Sequence, residues 1–525
     1  MLGLMGTQPL TIATIFERLR TVYGDNHVVD ALPGGTTRVT YAELADRVLR
    51  LVTVLQDLGV QPGDRVGSFA NNSSRHVELY YAVPLAGAVL HMVNIRLHDD
   101  QLEHVVADAG DVVMFVDDDL IPRLAELSLP SVRTFLRLGK GDTAGLPGLL
   151  SAEDLLAEAV PCAALPVLTE DQASGMCHTS GTTGMPKAVV YSHRATYLHA
   201  MSCGMVDSLG LSERERVLPV VPLFHACGWG LPYAAPFTGA ELVFVGSDTS
   251  PANLARVIAE EEVTWAAGVP TIWTGLLPHA DDLPSLRVLG IGGSATPRAL
   301  MEAYDAKGIE ILQIWGMTET SPIACTSRPR RRHSGLDAPG RRDVRLRTGT
   351  ILPGLEARIV DGLGDLLPWD GEAVGELECR GPWVATDYWG GAPEKFHDGW
   401  LRTGDMARMD RDGYFTIVDR SKDLVKSGGE WISSVELEGA CLAHPAIREA
   451  AVVGVRSLKW DERPVVVASL NAPLTLAELR DFLAGSVARW WLPDELVVVD
   501  EVAKTSVGKF DKKVLRSQLA ELVLP

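Results

Sequence analysis

The sequence predicts a layered α/β protein, a large N-terminal domain followed by a small α+β one. Three observations carry that expectation. At 525 residues the chain exceeds what one hydrophobic core usually supports, so two or more domains are the default. Through most of its length strand-like and helix-like segments alternate, which implies layers of sheet and helix with the chemistry on loops at the strand ends. Beyond Arg420 the pattern changes to a compact mixture of strands and helices, which places the boundary at about Asp419, with domains 1–419 and 420–525.

Taken in order, the N-terminus Met1-Leu2-Gly3-Leu4 lacks a basic region before an apolar run and does not read as a secretory signal, so the cytoplasm is expected. Thr40-Tyr41-Ala42-Glu43 is a capping-box signature. Leu44, Val48, Leu51, Leu55 and Leu58 follow at helical steps and Gly59 ends the run, which predicts one amphipathic helix packed on a sheet. Residues 65–70 read as a buried strand. The longest apolar stretch, 79–93, is broken by Pro84 and His91 and is short for a bilayer, so no membrane span is expected. Further strands are predicted at 111–117, 216–222, 241–245, 264–267, 287–291 and 309–313, and a hairpin turn at Asp410-Arg411-Asp412-Gly413-Tyr414. In the small domain the pattern gives strands at 450–455, 463–470 and 495–500 and a helix at 476–488. No internal repeat or low-complexity tract is visible.

The composition, 46% hydrophobic and 22% charged, is that of a soluble globular protein. A formal net charge of -20 argues against general nucleic-acid binding, and it means that an anionic substrate must be drawn in by local positive charge. Seven cysteines are dispersed without a CxxC pair, which suits a reducing compartment. Cys177 and Cys227 lie beside the segments singled out below, but nothing in the sequence supports a covalent role for them.

The stretch Cys177-His178-Thr179-Ser180-Gly181-Thr182-Thr183-Gly184-Met185-Pro186-Lys187 gathers hydroxyls, two glycines and a lysine ahead of the apolar Ala188-Val189-Val190-Tyr191. Glycines let backbone N–H groups turn towards one anion, hydroxyls donate further bonds, and the lysine adds compact positive charge, so the loop suits phosphate. The nucleotide loop of kinases and ATPases needs Gly-Lys-Ser/Thr at its end; this loop has Pro186-Lys187-Ala188.

Thr-Ser-Gly-Thr-Thr-Gly-x-Pro-Lys resembles the signature loop of the adenylate-forming superfamily, which holds acyl-CoA synthetases, firefly luciferase and peptide-synthetase adenylation domains. Trp315-Gly316-Met317-Thr318-Glu319-Thr320, Thr403-Gly404-Asp405, Asp419-Arg420-Ser421-Lys422-Asp423 and Lys504-Thr505-Ser506-Val507-Gly508-Lys509 follow in that family's order. Val221-Pro222-Leu223-Phe224-His225, Trp229-Gly230-Leu231-Pro232-Tyr233 and Lys426-Ser427-Gly428-Gly429-Glu430-Trp431 are similar to the bacterial medium- and long-chain fatty acyl-CoA synthetases. The resemblance covers essentially the whole chain. It implies an acyl-CoA synthetase/luciferase-like fold whose small domain is mobile about a hinge at 419–424. It also implies ATP- and Mg²⁺-dependent activation of a medium- or long-chain fatty acid to acyl-AMP, release of pyrophosphate, and transfer to the thiol of CoA.

By the same resemblance, Thr179, Ser180, Gly181, Thr182, Thr183, Gly184 and Lys187 would cradle the outer phosphates. Glu319, with the Thr179 hydroxyl, would hold Mg²⁺. Thr318 would touch the α-phosphate, Trp315 would face adenine with Gly293 and Ser294 on its other side, and Asp405 would accept from the ribose hydroxyls. Gln313, Arg420, Lys422, Lys426 and Trp431 complete the implied nucleotide set. Lys509, Lys187 and Glu319 are the expected catalytic groups, with Lys509 delivered to the α-phosphate by the small domain. For the second half-reaction the small domain would rotate and bring Lys426-Ser427-Gly428-Gly429 to line a thiol tunnel. His225 and Trp229 would stand at the mouth of the acyl pocket, the tryptophan as its gate. The resemblance to bacterial synthetases is compatible with a homodimer, while the sequence itself does not set the oligomeric state.

Some positions depart from the pattern. Ala226-Cys227-Gly228 replaces the usual Val-Asn-Ala, Ala188 replaces a glycine, and Trp265 and Trp273 add bulk to a segment expected to border the acyl pocket. These leave the acid open: aryl or arylacrylic acids, carrier-protein loading, and nitrite activation for diazotising an aromatic amine all use the same first step. A non-enzymatic nucleotide-binding homologue is the rival of another class. Arg328, Arg330, Arg331, Arg332, Arg341, Arg342, Arg345 and Arg347 form a basic island in an acidic chain. It reads either as a solvated flexible loop or as a docking patch for CoA phosphates or an acidic carrier-protein helix.

Overall fold

The computed structural model describes residues 3–32, 34–139, 141, 145–146, 148–179, 185–427, 430–505 and 509–524. Among these residues the chain builds three β-sheets. The first, of seven strands, runs parallel through Leu149–Ser151, Thr134–Arg137, Asp111–Val116, Arg65–Phe69, Val89–Met92 and Ala173–His178. Antiparallel Ala188–Ser192 closes it. The second has a parallel centre of Glu241–Phe244, Arg216–Pro219, Trp265–Gly268, Val288–Ile291 and Glu310–Gly316. It continues antiparallel through Ile323–Thr326, Gly349–Ile351, Tyr414–Arg420, Trp400–Met409, Val374–Arg380 and Glu356–Val360. The third is a small sheet around the long hairpin Ile447–Ser457 and Asp461–Leu470, with Val425–Ser427, Glu430–Ile432 and Glu495–Val498.

Parallel strands buried on both faces tend to read as nearly continuous apolar runs, as Asp111–Val116, Trp265–Gly268 and Val288–Ile291 do. The layer between the two large sheets contains the helices Ser74–Leu85 and Leu231–Thr238, both buried almost throughout, the first with His76 and Glu78 among its buried residues. Buried polar groups there must find partners. Tyr81 donates to the Pro232 carbonyl (2.9 Å), Tyr80 to the Leu223 carbonyl (2.5 Å), and Tyr233 to the Tyr80 carbonyl (2.8 Å).

The helix expected after the capping box spans Tyr41–Asp57. Thr40 accepts from the Glu43 amide, and the Glu43 carboxylate accepts from the Thr40 amide. Such a cap contributes about 1 kcal/mol. Gly59, at φ +76°, follows as the stop. The predicted hairpin turn at 410–414 joins Trp400–Met409 to Tyr414–Arg420.

Two elements are shorter than expected. The strand predicted over 216–222 ends at Pro219, because Pro219 and Pro222 have no N–H to donate to a ladder. Past it the Val220 and Val221 amides still reach the Ala267 carbonyl. The helix predicted over 476–488 ends at Leu483, after which Gly485 enters a turn.

The basic island is neither a flexible loop nor an open cationic patch. It folds into a helical turn and the helix Ala338–Leu346, pinned by ion pairs. Arg342 and Arg345 share Asp305, Arg347 pairs with Asp410 (2.5 Å), Arg332 with Asp412, and Arg328 with Glu310 (3.3 Å). Most of the positive charge is spent tying this segment to its neighbours. No helix among the described residues is long and apolar enough to cross a membrane.

Candidate active site

Loops at the carboxyl ends of parallel strands are where open α/β sheets put their chemistry. Here Val288–Ile291 runs into Gly292-Gly293-Ser294, and Glu310–Gly316 carries Trp315 into the turn Thr318–Thr320. Asp405, buried on Trp400–Met409, faces Arg420 across the antiparallel pair. Its two oxygens accept from Arg420 Nε (2.6 Å) and Trp315 Nε1 (2.9 Å).

Lys509 enters this cluster from the small domain. A Cβ built on Gly293 would lie 3.1 Å from Lys509 Cε and 3.8 Å from its Nζ, so the lysine side chain packs directly over the Gly293 backbone. Burial pushes the Lys509 pKa down to about 8, the nearby Arg420 charge adds to the fall, and Asp405 opposes it. Burial also brings His225 down to about 3, with Lys509 and Arg96 adding to the shift, so its imidazole is neutral at physiological pH. The loop bearing Lys509 is closed by the Thr505 amide on the Lys509 carbonyl (2.7 Å), and Lys504 pairs with Glu449 (2.7 Å).

A second group lies around Thr179 and Lys187, which flank the glycine- and threonine-rich stretch. Thr179 and Lys187 zip the neck of the loop: the Thr179 amide donates to the Lys187 carbonyl (2.8 Å), and the Lys187 amide to Thr179 Oγ1 (3.3 Å). Ser180, Gly181, Thr182, Thr183 and Gly184 lie outside the described residues. Lys187 Nζ stands 5.5 Å over the Tyr388 ring and 3.5 Å from Glu394. The Tyr388 hydroxyl donates to Glu319 Oε1, and the Ala385 amide to the Glu319 carbonyl (2.7 Å). Tyr191 donates to the Thr318 carbonyl (2.8 Å), tying the strand after the loop to the turn that carries Glu319. Sequence reasoning missed Tyr191 and Tyr388.

Other candidates stand apart. The Gln313 amide is spent on the Thr296 N–H (3.3 Å) and the Arg347 carbonyl (3.2 Å), where it props the loop after Gly292. Ser294 and Lys422 are exposed. Lys426 and Trp431 face each other on the small hairpin, Lys426 paired with Asp461 (3.6 Å) and Trp431 about half exposed. No hydrogen bond, ion pair or ring contact among the described residues ties either to the Asp405 cluster. Gly428, Gly429 and 506–508 lie outside the described residues.

At the segment expected to border the acyl pocket, Ala226, Cys227, Gly228, Trp229 and Gly230 all adopt positive φ, from 37° to 71°. This left-handed turn lays the Trp229 indole on the bare Cα of Gly292. Trp265 lies on the same side of the sheet, over Gly290. Trp273 does not border this space. It packs on Gly268 within the core on the opposite face, because successive residues of Trp265–Gly268 point to opposite sides.

The model of the AMP-binding enzyme family matches residues 16–389, and that of its C-terminal domain matches 436–509. The chain belongs to the AMP-binding enzyme family. Among curated proteins the enzyme is 41% identical to a medium-chain-fatty-acid–CoA ligase of Ectopseudomonas oleovorans, over 100% of this chain and 98% of that one. It is also 41% identical to a 3-methylmercaptopropionyl-CoA ligase of Ruegeria lacuscaerulensis, over 99% of each chain. Its fold matches the anthranilate-CoA ligase AuaEII in complex with anthranoyl-AMP (TM-score 0.87, 28% identity, 98% of this chain and 99% of that one). It likewise matches ATP-bound MatB from Rhodopseudomonas palustris (TM-score 0.84, 27% identity, 98% and 100%). The enzyme thus has the large N-terminal and small C-terminal domains of that fold.

Proposed function

We propose that the enzyme activates an aliphatic carboxylic acid with ATP and Mg²⁺ and passes the acyl group to the thiol of CoA. A carboxylate is a poor acyl donor because its oxygen leaves badly; attack on the α-phosphorus of ATP replaces that oxygen with AMP. The barrier is that an anion must approach a polyanion, so positioned positive charge does more than an added nucleophile. The observation that carries this reading is Lys509, brought from the small domain over Gly293 beside Asp405 and Arg420.

In this scheme the nucleotide occupies the cleft between the two groups. Trp315 and the Gly292–Gly293 backbone flank adenine, and Asp405 exchanges its present partners for ribose hydroxyls. Lys187 leaves Glu394 for the outer phosphates, and Lys509 neutralises charge where the carboxylate meets the α-phosphorus. Glu319 has one oxygen held by Tyr388 and no hydrogen-bond partner among the described residues for the other. That fits a hard cation bound through one or two carboxylates and the substrate's phosphates. Mg²⁺ there would offset the charge of the leaving pyrophosphate.

Thiol attack needs the approach that Lys509 fills. We assign the exchange to rotation of residues 420–525 about 419–424, which would replace Lys509 by the face bearing Lys426 and Trp431. The hinge is braced now by Asp419, which accepts from the Ser434 amide and hydroxyl (both 2.6 Å), and by the Arg408–Glu436 pair (2.6 Å). All seven cysteines are free, in keeping with a reducing compartment such as the cytoplasm.

The test is pyrophosphate release from Mg²⁺-ATP across a panel of acids, with and without CoA. Acid-dependent release and CoA-dependent thioester are expected. Absence of AMP with every acid would contradict the proposal.

A further inference from the structure

We infer that His91 and His178 are positioning residues: the buried chain of Asp111, His91, His178 and Asp108 fixes the strand end from which Thr179 and Lys187 diverge. This deepens, and rests on, the ATP-dependent function proposed above, in which the stretch between Thr179 and Lys187 holds the outer phosphates.

The chain starts on a carboxylate. Asp111, fully buried at the head of Asp111–Val116, accepts from His91 Nδ1 (2.7 Å). A neutral imidazole that donates from Nδ1 accepts at Nε2, and His178 Nδ1 lies 3.0 Å from that atom. The two rings stand 4.8 Å apart. Asp108, 3.1 Å from His178 Nε2, closes the outer end. Asp108 and Asp111 flank the turn at Gly110 (φ +67°), where the helix Asp99–Ala109 meets the strand. One turn therefore grips the histidine pair at both ends. The sheet leaves room for this. Arg65–Phe69 lies between the strands of His91 and Asp111, with Gly67 opposite His91. A Cβ on Gly67 would come within 3.1 Å of Asp111 Oδ2, so a side chain there would crowd the oxygen that His91 holds. Buried polar groups cost stability unless paired, which holds the four side chains to one arrangement.

The place of this clamp in the fold decides what it does. Ala173–His178 runs parallel to Val89–Met92, and the carboxyl end of such a strand is where open α/β sheets hold ligands. Across the antiparallel ladder His178 pairs with Ala188. The next residues inward are Thr179 and Lys187, joined by the Thr179 amide on the Lys187 carbonyl (2.8 Å). The Lys187 ammonium then lies over the ring of Tyr388, whose hydroxyl holds Glu319. No residue stands between the clamp and this neck, so a shift of His178 moves both edges of the stretch.

The experiment measures binding of Mg²⁺-ATP and of AMP by calorimetry, for the wild type and His178→Leu, with thermal unfolding as the check of fold. Leucine removes both of the histidine's bonds. Kd for Mg²⁺-ATP is expected to rise by about fivefold to a hundredfold, the effect of leaving a buried polar partner unmet. Kd for AMP, which has no outer phosphates, stays within about twofold. A general loosening of the protein would weaken both. His178→Asn, whose amide can donate to His91 in place of Nδ1, recovers most of the loss. A folded His178→Leu that weakens both nucleotides equally, or neither, overturns the inference, and so does a His178→Asn no better than the leucine. If His178→Leu does not fold, Asp108→Ala decides: it strips the partly exposed end of the chain and is expected to shift the ratio of the two Kd values by about twofold to fivefold. An unchanged ratio there overturns the inference. A wild type that binds neither nucleotide overturns the proposed function itself, which separates the two failures.

Discussion

Lys509 is a lysine whose charge is within reach of ordinary pH. Burial and the Arg420 guanidinium hold its pKa at about 8, so the ammonium is mostly protonated at pH 7 and neutral by pH 9. If the first half-reaction needs the charged form, kcat/KM for acyl-AMP formation falls as pH rises through about 8. A profile of that constant reports the free enzyme's value. Lys509→Arg, which keeps its charge, is expected to lose the falling limb near that pH. Tyr388 offers a second residue-scale test. Its hydroxyl is a hydrogen bond to a carboxylate, the kind that contributes about 1.5–3 kcal/mol. Tyr388→Phe keeps the ring beneath Lys187 and removes only that bond. Its kcat/KM for ATP should drop by roughly tenfold to a hundredfold, with a raised Mg²⁺ requirement in a metal titration. Lys509, Glu319 and Asp405 stand out as candidates because each sits inside a short ordered motif. Tyr388 and Tyr191 act by folding back on the turn at 318–319 from far along the chain, and a local pattern carries no trace of that pairing.

At the scale of elements, capped and strongly periodic segments were readable and charge-rich ones were not. The helix Tyr41–Asp57 announces itself by its Thr-x-x-Glu box and its apolar stripe. The strand ending at Pro219 and the helix ending at Leu483 depend on single residues that interrupt a run. The arginine-rich stretch misleads because its partners, Glu302, Asp305, Asp410 and Asp412, lie elsewhere in the sequence. Their contacts turn a presumed cationic surface into a clamp for Ala338–Leu346. Asp305→Ala removes the acceptor shared by two partly buried arginines, so it should cost about 1–2 kcal/mol in denaturant unfolding. The KM for CoA should stay unchanged. A raised KM with unaltered stability would restore the docking patch.

The molecule as a whole places two chemically different faces of its small domain on one linker. One face delivers Lys509 to the Asp405–Arg420 cluster; the other carries Lys426 and Trp431, which the present arrangement leaves exposed. The two-domain layout was visible as a change of pattern past Arg420. Which face meets the cleft was not, because it depends on interdomain contacts such as Asp419 with Ser434. The most direct measurement is single-turnover kinetics of Lys509→Ala in two halves. Acyl-AMP formation from acid and Mg²⁺-ATP should slow by at least about a hundredfold. Thioester formation from supplied acyl-AMP and CoA should run near the wild-type rate. Equal slowing of both halves, or an unchanged first half, would contradict the account.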